Sequence, residues 1–446
     1  MNDYLLKKKP FYALFVFALP MIIGNLFQQG YTMVDSAIVG RYVSEEALAA
    51  VGASNALTHI FICVAMGGGI GASVNVSRYF GAGDFSKMKT AVNTALISFL
   101  ALSLTLASVG LLMGKQFMIW LNTPAEAMDL AVLYLNIYFL GLPLMFMYNV
   151  LSAMFNALGK SRIPLIFLIV SSLLNVVLDY HMVCNMNLGV AGAVWATLIA
   201  QGISALLSFA VFLKELKYYE GKAERFFDLP EMLSMGRIAL PSILQQSTIT
   251  IGMLLVQSVV NGFGTQALAG FSAAGRIEAI CAVPMTAIGN ALSSYTAQNL
   301  GAKQKDRVVE GYRAANWMVA GFALLICVVS QLYYEPIIAF FLGENGTEVS
   351  LRTGQDAMRF LSCFYLILGS KMAVDGVLRG SGDVRMFTVA NLVNMTIRVI
   401  FSMTMAPRFG IAMVWLADPI GWFANWIISF GQYRTGKWKT IKESSV

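Results

Sequence analysis

Residues 11–40 have the sequence FYALFVFALPMIIGNLFQQGYTMVDSAIVG, a long apolar stretch whose one charged side chain is Asp35. An apolar helix of about 20 residues can cross the roughly 30 Å hydrocarbon core of a bilayer. The stretch follows three lysines, Lys7 to Lys9, but is too long for the core of a signal peptide and lacks a convincing cleavage site. We therefore expect it to remain in the protein as a first transmembrane helix.

The second half of the chain repeats the first at a spacing of about 220 residues. Leu19-Pro20 recurs as Leu240-Pro241, and Gly81-Ala82 recurs as Gly301-Ala302. Each half contains six apolar stretches long enough to span a membrane. Because six is an even number, both halves begin on the same side, which makes the repeat parallel about an axis along the membrane normal.

The predicted fold is an all-α polytopic membrane protein with 12 transmembrane helices, arranged as two six-helix bundles related by a parallel pseudo-twofold. The composition agrees, since 57% of the residues are hydrophobic and 12% are charged. We predict an amino-terminal lobe at residues 1–215, a cytoplasmic linker at 216–236 and a carboxyl-terminal lobe at 237–446. The predicted spans are residues 11–40, 44–76, 90–113, 127–153, 162–184, 188–213, 232–260, 266–298, 312–341, 355–378, 384–406 and 411–433.

The distribution of basic residues predicts the orientation. Most of the 31 Lys and Arg residues fall in the loops on the same side as the two termini, and such loops stay cytoplasmic. The net charge of +7 is then explained by topology and by contact with anionic lipids, and not by nucleic-acid binding. We expect both termini to be cytoplasmic.

Several kinds of chemistry lack their usual residues. The five cysteines show no paired metal or redox spacing, and the two histidines, His59 and His181, are far apart. Gly159-Lys160-Ser161 resembles the end of a nucleotide-binding loop, but Met154 stands where that loop requires glycine. We therefore expect no enzymatic activity and no cofactor.

Polar side chains in the first half suggest a cation site. Asp35 lies in the outer part of the first span and Asp179 in the outer part of the fifth, with Asn175 one turn before Asp179 and Thr197 in the sixth span. Charged groups at membrane depth are costly and usually functional. Two carboxylates, an amide and a hydroxyl suit a small hard cation such as Na⁺, while burial favours proton uptake. The alternative is that the two acids face water near the interface or pair with Arg41.

The second half does not repeat this cluster. The position matching Asp35 falls at Val256 or Gln257, that of Asn175 at Arg398, and that of Asp179 at Ser402. If an ion is coupled to transport, the amino-terminal lobe is the better candidate for its site.

The second half carries charges of its own. Lys371 and Asp375 are one turn apart in the tenth span and are predicted to form an internal ion pair or a second gate. Arg276 and Glu278 in the eighth span and Arg398 in the eleventh are candidate charges facing an internal cavity.

A substrate cavity for varied amphipathic cations needs aromatic and flexible apolar surface with a few polar groups. Gln28 and Tyr31 on the first span and Tyr138 and Asn149 on the fourth are the candidates.

Motifs along the whole chain point to one family. They are Ala18-Leu19-Pro20 with Asp35 downstream, Asn156-Ala157-Leu158-Gly159 before Arg162-Ile163-Pro164, Asn175 to Asp179 followed by Gly192-Ala193-Val194-Trp195-Ala196-Thr197, and Leu378-Arg379-Gly380-Ser381-Gly382-Asp383. With these motifs the chain resembles the multidrug and toxic compound extrusion (MATE) family of cation-coupled antiporters.

The resemblance implies a V-shaped pair of bundles that exports small organic cations or amphipathic drugs in exchange for Na⁺ or H⁺. It maps the family's amino-terminal cation site onto Asp35, Asn175, Asp179 and Thr197. It further implies a location in a bacterial inner membrane, and we expect a monomer surrounded by membrane lipids. The chain departs from some members, which carry an acid in the seventh span, because the stretch at residues 245–249 has none and Asp375 is displaced toward the cytoplasmic end. A carboxyl-lobe sodium site is therefore not expected.

The main alternative is a flippase for a lipid-linked or other large amphipathic substrate. It predicts a groove rich in Arg and Lys to hold phosphate, for which Arg276 and Arg398 are the few internal candidates. An intramembrane enzyme lacks paired histidine ligands and a nucleophile with its base. A passive channel would be excluded by saturable, ion-coupled accumulation.

Overall fold

The computed structural model describes residues 4–42, 45–121, 123–343 and 346–440, with the side chains at 34–42, 45–49, 55 and 56 left outside the description. Every regular element in these ranges is a helix. The helices are α1 (Tyr4–Lys7), α2 (Pro10–Tyr42), α3 (Glu45–Ala82), α4 (Phe85–Trp120), α5 (Ala125–Ala157), α6 (Arg162–Asp179), α7 (Gly189–Leu216), α8 (Leu229–Asn261), α9 (Thr265–Gly301), α10 (Lys305–Leu342), α11 (Glu348–Ser362), α12 (Tyr365–Ser381), α13 (Val384–Phe409) and α14 (Ala412–Arg434).

These helices confirm an all-α polytopic membrane protein. Within the described residues, 10 helices are long and apolar enough to cross a membrane, and α11 with α12 would add an eleventh as a bent pair. The 23-residue helix α14 occupies the twelfth predicted span. It falls short of the same hydropathy test, since its polar Asp418 and Asn425 and its tryptophans lower the average.

The tenth predicted span is two helices with a bend of 54° between them. The bend frees the backbone carbonyl of Arg359, which accepts a hydrogen bond of 2.8 Å from Gln331 Nε2 on α10. The same amide donates to Ser362 Oγ at 3.0 Å. Non-helical backbone at membrane depth is tolerated where side chains supply the hydrogen bonds that the helix no longer makes.

The chain forms two compact units of helices. One consists of residues Ile23–Ile243, and the other of the segments before Ile23 and after Ile243. α2 and α8 therefore each begin in one unit and continue in the other. The lobe boundaries predicted at residues 215 and 237 follow the order of the chain and stay a prediction.

Hydrogen bonds help to hold the start of α8 and the segment that precedes α2 in these units. At the start of α8, the Glu231 carboxylate accepts hydrogen bonds of 2.9 Å from Asn75 Nδ2 and 2.9 Å from Tyr79 Oη, both on α3. Near α1, the Arg307 guanidinium donates to the backbone carbonyls of Leu5 at 3.1 Å and Lys8 at 2.7 Å. We call these contacts the Glu231 anchor and the Arg307 anchor.

The cores of the two units are aromatic and aliphatic. In the first unit Phe155 and Phe212 pack edge to face with ring centroids 5.0 Å apart, and both side chains are buried. In the other unit the buried Phe17 belongs to the same apolar cluster as Tyr295. Segment 4–22 thus contributes to the core of the carboxyl-terminal half.

Candidate functional site

The predicted cation site in the amino-terminal half is built on α6 and α7. Asn175 Nδ2 donates a hydrogen bond of 3.2 Å to Thr197 Oγ1. Thr197 Oγ1 in turn donates to the Ala193 carbonyl one turn earlier, at 3.1 Å. The amide of Asn175 is buried, with 4% of the residue exposed. An amide and a hydroxyl predicted from the sequence to lie together are therefore in direct contact.

Asp179 lies one turn after Asn175 and has 0% exposure. It is the last residue of α6 and directly precedes a turn of π-helix, Tyr180–Asn185. Turns of π-helix are rare and frequently mark functional sites. Thus a buried carboxylate stands on the same helix face as the amide of Asn175, where an apolar environment makes charge costly.

The remaining predicted member, Asp35, is on α2, and its side chain lies outside the described residues. The same holds for Arg41, so the pairing of Asp35 with Arg41 is left as an alternative. The structure therefore describes three of the four proposed ligands, and the participation of Asp35 stays a prediction.

The four predicted substrate-cavity residues lie on α2 and α5. Tyr138 Oη donates to the Thr58 carbonyl on α3 at 3.2 Å, and Asn149 Nδ2 donates to the Met145 carbonyl on its own helix at 2.9 Å. Gln28 is exposed and Tyr31 is half-buried. A cavity formed by these residues stays a prediction.

In the carboxyl-terminal half, Lys371 and Asp375 on α12 form an ion pair, with Nζ 3.6 Å from Oδ2. Both side chains are 2% exposed, so the pair is enclosed by protein. Ser429 Oγ on α14 donates to Asp375 Oδ1 at 2.7 Å, and Asn391 Nδ2 on α13 donates to Oδ2 at 3.5 Å. The carboxylate is held by three helices.

Arg379 extends this line of charges by one more turn. Its guanidinium donates to Asn290 Oδ1 at 2.7 Å, Ser293 Oγ at 3.4 Å and Gln245 Oε1 at 3.5 Å. Sequence analysis did not single out Arg379 as a site residue. Its spacing of four residues from Asp375 was the available signal.

A second buried ion pair joins Arg398 on α13 to Asp418 on α14. Glu278 on α9 lies close enough to interact electrostatically with both. Arg276 is exposed and is not part of this group in the described contacts. The sequence analysis did not predict a role for Asp418, although an acidic residue within the last apolar stretch indicates a buried charge.

A small cleft lies between α8 and α13. Gln245 and Asn391, which contact Arg379 and Asp375, line it together with Thr248, Asn394 and Arg398. Asn394 Oδ1 is buried and has no hydrogen-bond partner in the described part of the chain. The sequence-based candidates for the substrate cavity lie in the other half. Of the lining residues named here, Arg398 was among the charges predicted to face an internal cavity, whereas Gln245, Thr248, Asn391 and Asn394 were not predicted.

Long apolar helices that enclose ion pairs and a polar cleft define an integral membrane protein with a polar interior, an arrangement typical of transporters. The MatE family model matches residues 20–181 and 241–404, and the chain belongs to that family. The resemblance inferred from the motifs is confirmed. One model also matches each half once, which agrees with the internal repeat.

Known relatives and structures cover nearly the whole chain. The "Probable multidrug resistance protein YpnP" of Bacillus subtilis (strain 168) is 27% identical over 96% of this chain and 96% of its own length. A crystal structure of MATE in complex with MaL6 has a TM-score of 0.91 at 24% identity, over 98% of this chain and 99% of that one. A MOP superfamily transporter from Pyrococcus furiosus, described as having a binding pocket of reverse polarity, has a TM-score of 0.91 at 24% identity, over 99% of both chains. These likenesses show the shared fold.

Proposed function

We propose that this chain exports organic, often cationic and amphipathic compounds in antiport with H⁺ or Na⁺, by alternating access of its two lobes. The proposed location is a bacterial plasma membrane with both termini cytoplasmic. The proposal is supported by membership of the MatE family and by the multidrug name of its Bacillus relative.

The observation that carries the coupling is the hydrogen bond from Asn175 to Thr197 beside the buried Asp179. A carboxylate, an amide and a hydroxyl are hard oxygen ligands that suit Na⁺, and a buried carboxylate can take up a proton instead. Asp35 is proposed to complete the site. Cation binding from outside then favours the lobe conformation that releases substrate.

The energetics set a limit on what the exchange can do. One charge that moves down 100 mV supplies about 2.3 kcal/mol, which supports roughly a fiftyfold gradient of a neutral substrate. One-for-one exchange of two monovalent cations moves no net charge. Export of a cationic compound at that ratio relies on the ion concentration gradient.

The flippase alternative receives less support from the charges of the carboxyl-terminal half. Arg398 lines the cleft, but its guanidinium is already paired with Asp418. Arg276 is exposed and lies outside the lining. A phosphate group therefore meets no surplus of basic side chains in the described cleft.

The test is flux of a fluorescent organic cation in proteoliposomes, with sodium and pH gradients imposed separately. We expect Asp179→Asn to abolish the part of the flux that depends on the gradient, because the amide neither carries a proton nor supplies a charged ligand. Asp129→Asn, which changes an exposed acid in the same half, serves as the matched control. Full coupled export by correctly inserted Asp179→Asn protein would contradict the assignment.

A further inference from the structure

Three charged side chains follow one another along one face of α12. Lys371, Asp375 and Arg379 are four residues apart, and their exposures are 1%, 2% and 5%. Residues at this spacing lie above one another on a helix. Buried charges within a membrane protein are costly, and they are usually paired and functional. The coupling mechanism proposed above uses none of the three.

Three side chains around Asp375 favour its ionised form against the cost of its burial. The Ser429 hydroxyl donates to one oxygen at 2.7 Å and the Asn391 amide to the other at 3.5 Å. The Lys371 ammonium is 3.6 Å from that second oxygen. Donors and an opposite charge around a carboxylate all stabilise its charged form.

The ligand types around Asp375 are the same as those of the amino-terminal site. A carboxylate, an amide and a hydroxyl occur as Asp179, Asn175 and Thr197 in one half, and as Asp375, Asn391 and Ser429 in the other. Such oxygen-rich sets suit a monovalent cation. The difference is that the carboxyl-terminal set already contains a cation, the ammonium group of Lys371.

We propose that Lys371 is a built-in cation, which permanently occupies a second carboxylate site so that Asp375 takes up neither Na⁺ nor H⁺ during transport. Arg379 does not compete for this place, because its guanidinium is directed to Asn290, Ser293 and Gln245. The mechanistic consequence rests on the proposed function: the coupling cation exchanges only in the amino-terminal half.

The test compares cation binding by purified full-length protein and its variants. Binding of radioactive sodium is measured at mildly alkaline pH, and proton uptake is measured by titration to mildly acidic pH. We expect Lys371→Met to bind one more cation per chain than the wild type, as Na⁺ or as H⁺, since removal of the ammonium opens the Asp375 site. Lys371→Arg and the double variant Lys371→Met/Asp375→Asn are expected to match the wild type. Equal uptake by Lys371→Met and the wild type in both measurements would overturn the proposal.

The double variant keeps the proposal testable if Lys371→Met does not fold, because it removes both buried charges together. Its cation binding is expected to equal that of the wild type, and one cation fewer would show that the pair itself exchanges an ion. Its ratio of coupled ions to substrate in proteoliposomes is likewise expected to stay at the wild-type value. Binding is scored without transport, so a failure of coupled export leaves this comparison intact.

Discussion

Buried charges of the carboxyl-terminal half are held by opposite charges or by neutral polar partners. Arg398 and Asp418 pair across α13 and α14, with side-chain exposures of 12% and 9%. Removal of Asp418 leaves Glu278 as the remaining acidic neighbour of Arg398, and breaking a buried pair in this way costs far more than the pair contributes. The stability of the α13–α14 contact therefore depends on both residues being present.

Asp418→Asn is predicted to destabilise the protein by up to about 3–5 kcal/mol, because Arg398 loses its paired carboxylate in a buried position. The nearby Glu278 remains as an acidic neighbour of Arg398, so this figure is the upper bound of the loss. The measurement is thermal unfolding of detergent-purified protein. Asp356→Asn is the control, since Asp356 and its partner Arg352 on α11 are 59% and 83% exposed and exposed pairs contribute about 0–1 kcal/mol. Similar unfolding temperatures for the two variants would contradict the prediction.

Residue spacing predicted the contacts that lie within one helix but not those between helices. Lys371 and Asp375 could be paired from the sequence because a separation of four residues is sufficient for contact. Asp418 pairs with Arg398 through the packing of α13 on α14, and no local pattern specifies that. Asn175 and Thr197 were grouped from the sequence as members of one cation site, but their direct hydrogen bond depends on how α6 packs on α7.

At the scale of helices, glycine permits the close approach of α9 and α12. A Cβ added at Gly376 would overlap the backbone carbonyl of Gly289, and one at Gly380 would overlap that of Ser293. Small residues at membrane helix contacts allow such backbone proximity. The approach brings Arg379 within reach of Asn290.

Gly376→Ala is predicted to force α9 and α12 apart and to destabilise the protein by about 1–3 kcal/mol, the usual cost of overpacking. Gly321→Ala on α10 is the matched control, because a Cβ there meets nothing within 4 Å. Thermal unfolding and the yield of monodisperse protein measure the effect. Wild-type stability for Gly376→Ala would refute the close crossing.

The helices themselves were predictable, whereas the break in the tenth span was not. Apolar length placed all twelve spans on helices of the structure. Residues 360–366 around the break after Ser362 contain neither glycine nor proline, so the sequence gives no local sign of the break. It is supported by the side chain of Gln331, which is distant in sequence and reaches the freed carbonyl of Arg359.

At the scale of the whole molecule, the two anchors use positions related by the repeat. Tyr79 donates to Glu231 at the start of α8. Asn299 accepts a hydrogen bond from Arg307 and donates one to the carbonyl of Leu5 in α1, which makes it part of the Arg307 anchor. Tyr79 and Asn299 are about 220 residues apart in the chain. Each half thus holds the beginning of a helix that continues in the other unit. Sequence alone predicted the repeat but not this exchange, because the exchange depends on hydrogen bonds and apolar packing between residues that are distant in the chain.

Arg307→Ala is predicted to release α1, since the guanidinium is hydrogen-bonded to the carbonyls of Leu5 and Lys8. Amide hydrogen exchange over residues 4–13 is expected to rise severalfold, because local opening becomes less costly. Arg313→Ala, an exposed arginine on the same helix, is the control. Unchanged protection in Arg307→Ala would show that the hydrogen bond from Asn299 and the apolar packing of Leu5 hold the segment without the guanidinium.

The most direct test of the account is uphill transport by the wild-type protein in proteoliposomes. A fluorescent organic cation is supplied at equal concentration on both sides of the membrane. A sodium gradient or a proton gradient is then imposed across the membrane. The account predicts accumulation against the substrate's own gradient under one of the two ion gradients, and its collapse when an ionophore removes that gradient. Substrate concentrations that stay equal on both sides under either gradient, in protein of verified folding and orientation, would contradict coupled export.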